Sequence, residues 1–537
     1  MRKSILLISA DHDPEFTNII YHEIPRRLQK KAFMVPLNLA TIAGLTPEQE
    51  YEVDIWDEPV HGLIDEQTEF KKEYDLVGIT AFSSHMRRAR KIAKIVRSRG
   101  IVAAIGGPGV TAAPESCRSD FDILFIGEAE LTWPQFLEDF QRGSYSKEYR
   151  VGELPGLESS PTPRWDSIAD VMKSSYVTGG IQVTRGCPFD CEFCGVWKTF
   201  GRKMRTKPIE QVIREVINLQ KLGMESVLYC SDNFAGNRRY AKELMRAVTP
   251  VNNSFDKPIS FATELDITIV HDDEMLELLA DANFSSLLIG IETPNKDSLK
   301  EARKRQNLRG DLVDYCRKIQ SYGVPIDGSM IVGFDHDTLE AFDLQFEFIQ
   351  EAYIPIPKMH MLKAIAGTEL RTRMIGEKRV LNMNVIYQNV AAEYLDANLY
   401  TNILPKNMSR IELFAGYLAL VEKVFNWDNF EERIKGFISN IKRQPKLRVE
   451  DPNIGTVGNL RQVLYKLPEQ IQGNISRILD YTEQRASFMM RVVATLVFRQ
   501  FFEWCRLPVI RQEIMSQIRV EETLDESAIL AASALSD

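Results

Sequence analysis

The sequence predicts an α/β protein in three successive parts: two parallel-sheet domains joined by a linker, then a helical region. Three observations predict it. Short apolar strands alternate with helix-period segments over about the first 140 residues, a pattern that calls for a parallel sheet with helices on both faces. After a proline-bearing stretch the alternation restarts and runs through six more strands. Beyond about Arg379 the strand signals fade and helical periodicity dominates.

In the first part, ILLIS opens the sheet and a helix ends near Leu45. YEVDIWDE, DLVGITAFSS, the basic helix RRARKIAKIVRSRG, IVAAIGGPG and DILFIGEAE follow. Ligands of such sheets lie at the carboxyl ends of the strands. The loops after Ala10, Trp56, Thr80 and Ile105 should therefore frame a pocket, and Gly106 and Gly107 leave little side-chain bulk against a ligand. Pro155, Pro161 and Pro163 mark a linker. Six further segments read as strands separated by helices: GGIQVTRG, SVLYCSDN, ISFATE, SSLLIGIET, IDGSMIVGF and KMHMLKAIAGT. The expected division is residues 1–143, a linker over 144–175, a second sheet domain over 176–378 and a helical domain over 379–537, with a frayed tail after Glu521.

A formal charge of −9 without a basic block disfavours nucleic acid as a partner. No run approaches the roughly 18 apolar residues of a membrane span. The start MRKSILLISA reads as a strand, because its apolar run is short and DHD follows. Ser487 to Trp504, interrupted by Arg491 and Arg499, reads as a packed core helix, with a lipid-facing helix and peripheral membrane contact as the alternative. Seven cysteines and no signal peptide point to the reducing cytoplasm. Cys117, Cys316 and Cys505 are isolated and expected to be buried thiols.

The remaining signal is RGCPFDCEFC, where Cys187, Cys191 and Cys194 share one short loop. Three thiolates can hold three irons of a four-iron, four-sulfur (4Fe-4S) cluster, leaving one iron open. A structural zinc site would need a fourth ligand, and the nearest other cysteine is Cys230. The motif, with Phe193 before its last cysteine, resembles that of the radical S-adenosylmethionine (radical SAM) enzymes. The resemblance implies that the open iron chelates S-adenosylmethionine, that an electron from the cluster cleaves it to a 5′-deoxyadenosyl radical, and that the second part is a partial (β/α)6 barrel. It also implies site residues. Ser231, Asp232 and Asn233 end the second strand, where the amino group of S-adenosylmethionine is received; Asp232 as a helix cap is the alternative. Glu264 and Glu292 end the third and fourth strands and are placed for ribose hydroxyls or the methionyl group. Ile331 and Gly333 lie on the strand that meets adenine, although that motif's first glycine falls on Ser329 and its terminal acid on His336. Lys363 stands where relatives carry a proline-rich PLPGT. Arg185 and Gly186 are expected as supports of the cluster loop.

The series MVPLNLATIAGL, DIWDE, AIGGPGVTAAPE and DILFIGEAELTWPQFLEDF resembles the Rossmann-like cobalamin-binding domain that precedes the radical SAM domain in one subclass. It departs from that family in lacking DxHxxG and in placing Gly109 where a GGxH loop has histidine. No histidine on cobalt is therefore expected, and His61, with the wrong spacing, is read as a surface loop residue. Thr401 to Ile434 resembles the helical extension of a hopanoid-methylase-like group. These resemblances imply cobalamin-dependent methylation of an unreactive carbon on a small, lipid-like molecule, with a low-potential donor such as flavodoxin or ferredoxin. Radical oxidation, cyclisation or rearrangement is one alternative; a non-catalytic corrinoid- or cluster-binding module is another.

Overall fold

The computed structural model describes residues 2–11, 29–382, 399–446 and 467–524. It divides into two compact units, one built from Met1–Pro188 and Gly195–Cys230, the other from Phe189–Cys194, Ser231–Ala392 and Asn398–Asp537.

The strands of the first unit are β1 (Lys3–Ser9), β2 (Ala32–Met34), β3 (Tyr51–Asp57), β4 (Leu76–Thr80), β5 (Val102–Gly106), β6 (Ile123–Ile126), β7 (Glu148–Arg150), β8 (Tyr176–Arg185), β9 (Arg205–Thr206) and β10 (Ser226–Ser231). Six of them form a parallel sheet in the order β3-β1-β4-β5-β6-β7. Ile5, Leu6, Leu7 and Ile8 are each at most 2% exposed, as a central strand covered on both faces must be. The basic helix α1 (Met86–Ser98) explains itself in the same way. Ala89, Ile92, Ala93 and Val96 form its buried stripe, and most of its cations lie on the opposite face. Arg88 is the exception, buried against Glu58.

Strand β8 is flanked by β2 and β10, with β9 antiparallel to its end. The sequence reading missed β2. Three residues, two of them exposed, show no period, and only pairing with Tyr176 and Thr178 of β8 makes them a strand.

The second unit carries β11 (Ser260–Leu265), β12 (Phe284–Glu292), β13 (Ile326–Val332) and β14 (Lys358–Met361), parallel and consecutive. Helices Asp273–Asp281, Leu312–Gln320 and Ala341–Glu351 connect them. All six expected strands of the catalytic domain are therefore strands, although the last ends at Met361 rather than running on to KAIAGT. The helical region includes Arg410–Val424, opened by a Ser409–Glu412 capping box, Trp427–Asn440, Glu469–Ala486 and Met490–Glu521. In the last of these Val493, Ala494, Leu496 and Val497 are buried, and Arg499 turns to Asp327 at 2.8 and 2.6 Å, so this is a packed helix. Among the described residues no helix is long and apolar enough to cross a membrane. Residues 522–524 continue the last helix by a turn; the rest of the tail lies outside the described residues.

Cys117 and Cys316 are buried as expected, whereas Cys505 is only half-buried. His61 is no surface loop residue either. It ends the short helix Glu58–His61 half-buried, held because its Nδ1 meets the Asp57 backbone.

Candidate active site

In the first unit, the carboxyl ends of β1, β3, β4 and β5 enclose a cavity of about 510 Å³. Ala10, Asp57, Thr80 and Ile105 line it, one from each predicted loop, together with Gly106, Gly107 and Gln182. Gly107 is required by its backbone. Its φ is +101°, and an added Cβ would lie 2.9 Å from Thr80 Oγ1 and 3.1 Å from the Ala81 carbonyl. A Cβ on Gly106 would meet only Phe125, at an ordinary 3.6 Å. At Gly109 it would lie 2.7 Å from Met86 Sδ and 2.9 Å from the Ala81 carbonyl, so packing accounts for the absence of histidine there. His85 does line the cavity, which the sequence reading did not foresee.

Charges brace this wall. Arg185 pairs with Glu128 at 2.7 Å and Glu130 at 2.6 Å, and Arg205 also donates to Glu128. Tyr176 donates to Asp57 at 2.9 Å. Burial pushes the Asp57 carboxyl up to about 6 despite that bond. Further along β8, Gln182 Nε2 donates to the carbonyls of Thr184 and Cys230, both at 2.8 Å. Gly186 has φ +94°, and a Cβ there would come 2.7 Å from the Lys203 carbonyl. The next residue, Cys187, donates its amide to Gly201 at 3.1 Å.

Cys191 and Cys194 belong to the second unit. Cys191 is buried, and its Sγ accepts from Gln306 Nε2 at 3.7 Å. Glu192 is held by Arg373 at 2.7 and 3.0 Å, while its backbone bonds to Ala302 and Leu370. Lys304 pairs with Glu292 at 2.8 Å and lies 5.9 Å from the Phe193 ring centroid. Burial opposes the charge on Lys304, but Glu292 and the Cys191 and Cys194 thiols hold its pKa above the ordinary lysine range. Glu292 is buried with φ +67°, a left-handed conformation that a glutamate avoids unless its surroundings impose it. Those surroundings are Asn307, donating to the Ile291 carbonyl at 2.8 Å, and Gln345, donating to that of Glu292 at 3.0 Å. Neither Lys304, Gln306 nor Arg373 carried a sequence signal; only tertiary folding brings them to the cysteine loop.

Asn237, not Asp232, caps helix Arg238–Asn253, so the capping alternative for Asp232 falls away there. Asn233 donates to Asp266 at 3.0 Å. Glu264 is exposed near the end of β11, with protein atoms crowded around it. Burial and then the Asp232 charge push its carboxyl up to about 7. Ile331 is half-buried on β13. Gly333 has φ +103°, and its amide and that of Phe334 donate to Asp337 at 2.9 and 3.1 Å. The acid closing this turn is thus Asp337, one residue beyond the expected place. The second unit therefore brings Cys191 and Cys194 to Glu292 through Lys304, and Asp232 to Glu264; Cys187, Gly106 and Gly107 belong to the first.

The sequence pattern of the Radical SAM superfamily matches residues 181–349, and that of the B12 binding domain matches residues 30–137. An uncharacterised methyltransferase of Synechocystis sp. is 32% identical over 409 residues, covering 73% of this chain and 75% of that protein. The hopanoid C-2 methylase of Rhodopseudomonas palustris is 29% identical over 366 residues, 67% of this chain and 68% of that one. Among solved structures, the cobalamin-dependent S-adenosylmethionine radical enzyme OxsB with aqua-cobalamin and S-adenosylmethionine bound shares the fold, with a TM-score of 0.60 at 13% identity over 99% of this chain and 83% of that one. The chain belongs to the cobalamin-dependent radical SAM methyltransferase family. Its cofactors are a 4Fe-4S cluster, S-adenosylmethionine and cobalamin.

The residues present fit these groups. A glycine-backed cavity of largely apolar walls, with Asn38, Thr80, His85 and Gln182 among its polar groups, suits a large ring carrying amides. The Lys304 ammonium and the Gln306 N–H suit sulfur ligands that carry negative charge. Among the described residues Ser231 Oγ and Gln306 Oε1 are buried without a hydrogen-bond partner, a costly arrangement that a polar ligand would relieve.

Proposed function

We propose that this enzyme methylates an unactivated carbon of a hydrophobic small molecule in the cytoplasm, drawing electrons from a flavodoxin or ferredoxin. Residues 1–143 would bind cobalamin over Gly106 and Gly107, 176–378 would hold the radical chemistry, and 379–537 would form a helical domain. When bound, the cluster and S-adenosylmethionine supply a carbon-centred radical and cobalamin carries the methyl group.

The protein's own work is to bind and orient. Cys187, Cys191 and Cys194 hold the cluster. Lys304 keeps a cation beside Cys191 and Cys194 while its bond to Glu292 fixes that carboxylate. Asp232, with Ser231 and Asn233, receives the ammonium of S-adenosylmethionine; a carboxylate there gives a charge-assisted bond. Glu264 and Glu292 face its hydroxyls and methionyl group, and Gly333 lets the backbone approach adenine beside Ile331. The observation that carries this reading is the Glu292–Lys304 pair: a buried, backbone-strained carboxylate tied to a cation that senses two of the three motif thiols. A hydrophobic substrate is supported by the relative that is a hopanoid methylase.

The test is anaerobic reconstitution with cobalamin, S-adenosylmethionine and reductant, measuring 5′-deoxyadenosine and protein-bound corrin. Both should appear in the native enzyme, and Cys191→Ala should lose the cluster absorbance. Deoxyadenosine without corrin would remove the methyl relay, and a normal iron content in Cys191→Ala would remove the central assignment.

A further inference from the structure

Strand β14 places Lys358 and His360 on one face and buries Met359 and Met361 on the other. Its register sets Lys358 beside Ser329 and His360 beside Ile331, so the two side chains share one face of the sheet with the residue proposed to meet adenine. Both are part-exposed to water although protein surrounds them. Among the described residues, neither side chain makes a hydrogen bond or an ion pair. The neighbouring charges are already matched. Arg499 pairs with Asp327 at 2.8 and 2.6 Å, and Arg506 pairs with Glu503 at 2.6 Å. Lys363, near His360, lies over the Tyr400 ring at 4.6 Å. Asp327 and Glu503 act on Lys358 as well, but each makes its direct ion pair with an arginine, so three cations here share two carboxylates.

We propose that Lys358, with His360 as a neutral hydrogen-bonding neighbour, is the anchor for an anionic group of the substrate, a carboxylate or a phosphate, inside the second unit. The inference rests on the reading of this unit as the substrate-bearing catalytic domain. Its chemistry is that of a half-buried ammonium, which has lost part of its hydration and gains from a paired anion. Burial, and next the Arg499 charge, press Lys358 below the ordinary lysine range, and burial brings His360 down to about 4. An arriving anion would supply the missing partner. Lys358 lies two residues before His360 along the strand, about 7 Å by strand rise. The substrate is then an amphipathic acid rather than a wholly apolar lipid.

The probes are decanoate, decyl phosphate and decanol, titrated calorimetrically into the reconstituted holoenzyme. Either anion or both should bind more tightly than decanol, and the stronger anion identifies the headgroup as carboxylate or phosphate. Lys358→Met should weaken the anions by roughly tenfold or more and leave decanol unchanged, while Lys358→Arg should retain the preference. If Lys358→Met does not fold, judged by its melting curve, Lys358→Gln carries the same comparison. Equal binding of decanol and both anions, or an anion preference that survives loss of the charge, would overturn the proposal. Deoxyadenosine formation by the native enzyme is scored separately: its absence defeats the radical reading without touching the anion site, and its presence beside a failed titration defeats only the anion site.

Discussion

Lys304 donates to Glu292 at 2.8 Å from a loop twelve residues further along the chain, and it does so while Glu292 holds φ +67°. The bond and the strain point to one purpose, holding a carboxylate where relaxed backbone would not put it. Glu292→Gly relieves a φ penalty of roughly 1–3 kcal/mol but leaves the buried Lys304 cation without its partner, a loss of about 3–5 kcal/mol, so it should melt below the native chain and lose affinity for S-adenosylmethionine. A thermal melt and equilibrium dialysis check both halves; a destabilised variant with normal affinity would make Glu292 structural.

Removing the Lys304 charge acts on the cluster instead. Lys304→Met should make the reduced cluster harder to form, lowering its potential by on the order of 100 mV, the one-electron equivalent of about 2 kcal/mol. Redox titration followed by electron paramagnetic resonance reads this directly.

Glu264 offers a pH test of ligand binding. Its carboxyl, raised to about 7 by burial and Asp232, is increasingly neutral as pH falls below that value, and only its ionised form adds to the field that attracts an ammonium. Affinity for S-adenosylmethionine should rise several-fold between pH 6 and pH 7.5. Glu264→Gln should flatten the profile; an equally steep one would clear Glu264 of the effect.

Asp57 gives a stability test with the opposite polarity. Its folded pKa of about 6 stands above the ordinary 3.8 because of burial, so its protonated form favours the fold. That contribution is complete below about pH 4 and lost as pH rises through 6, a difference of about 3 kcal/mol. Asp57→Asn, which still accepts from Tyr176, should melt higher than the native chain at pH 8 and close to it at pH 4. Chemical denaturation at the two pH values decides.

The glycine pair separates a needed backbone from a convenient one. Gly107→Val should abolish corrin retention, seen as visible absorbance after gel filtration, because its Cβ has no space and its φ is disfavoured. Gly106→Ala, with only an ordinary contact to Phe125, should retain corrin.

The strands and the cysteine loop were legible because each rests on local pattern: Ile5 to Ile8 on an unbroken apolar run, the thiols on spacing. What escaped notice depends on partners distant in sequence. Residues 32–34 are a strand only because β8 accepts them. Arg373 looks like any helix arginine until folding sets it on Glu192, 181 residues away. The family motif's acid position falls on His336, whereas the turn takes the next residue, Asp337, a choice made by the backbone amides of Gly333 and Phe334.

Arg185 stands two residues before Cys187 and is bound to Glu128 and Glu130 in the cavity wall. A ligand in that cavity and a cluster on Cys187 would both bear on this stretch, and thermodynamic linkage makes any coupling between them reciprocal. The factor by which cluster loading changes corrin affinity should equal the factor by which corrin changes cluster affinity.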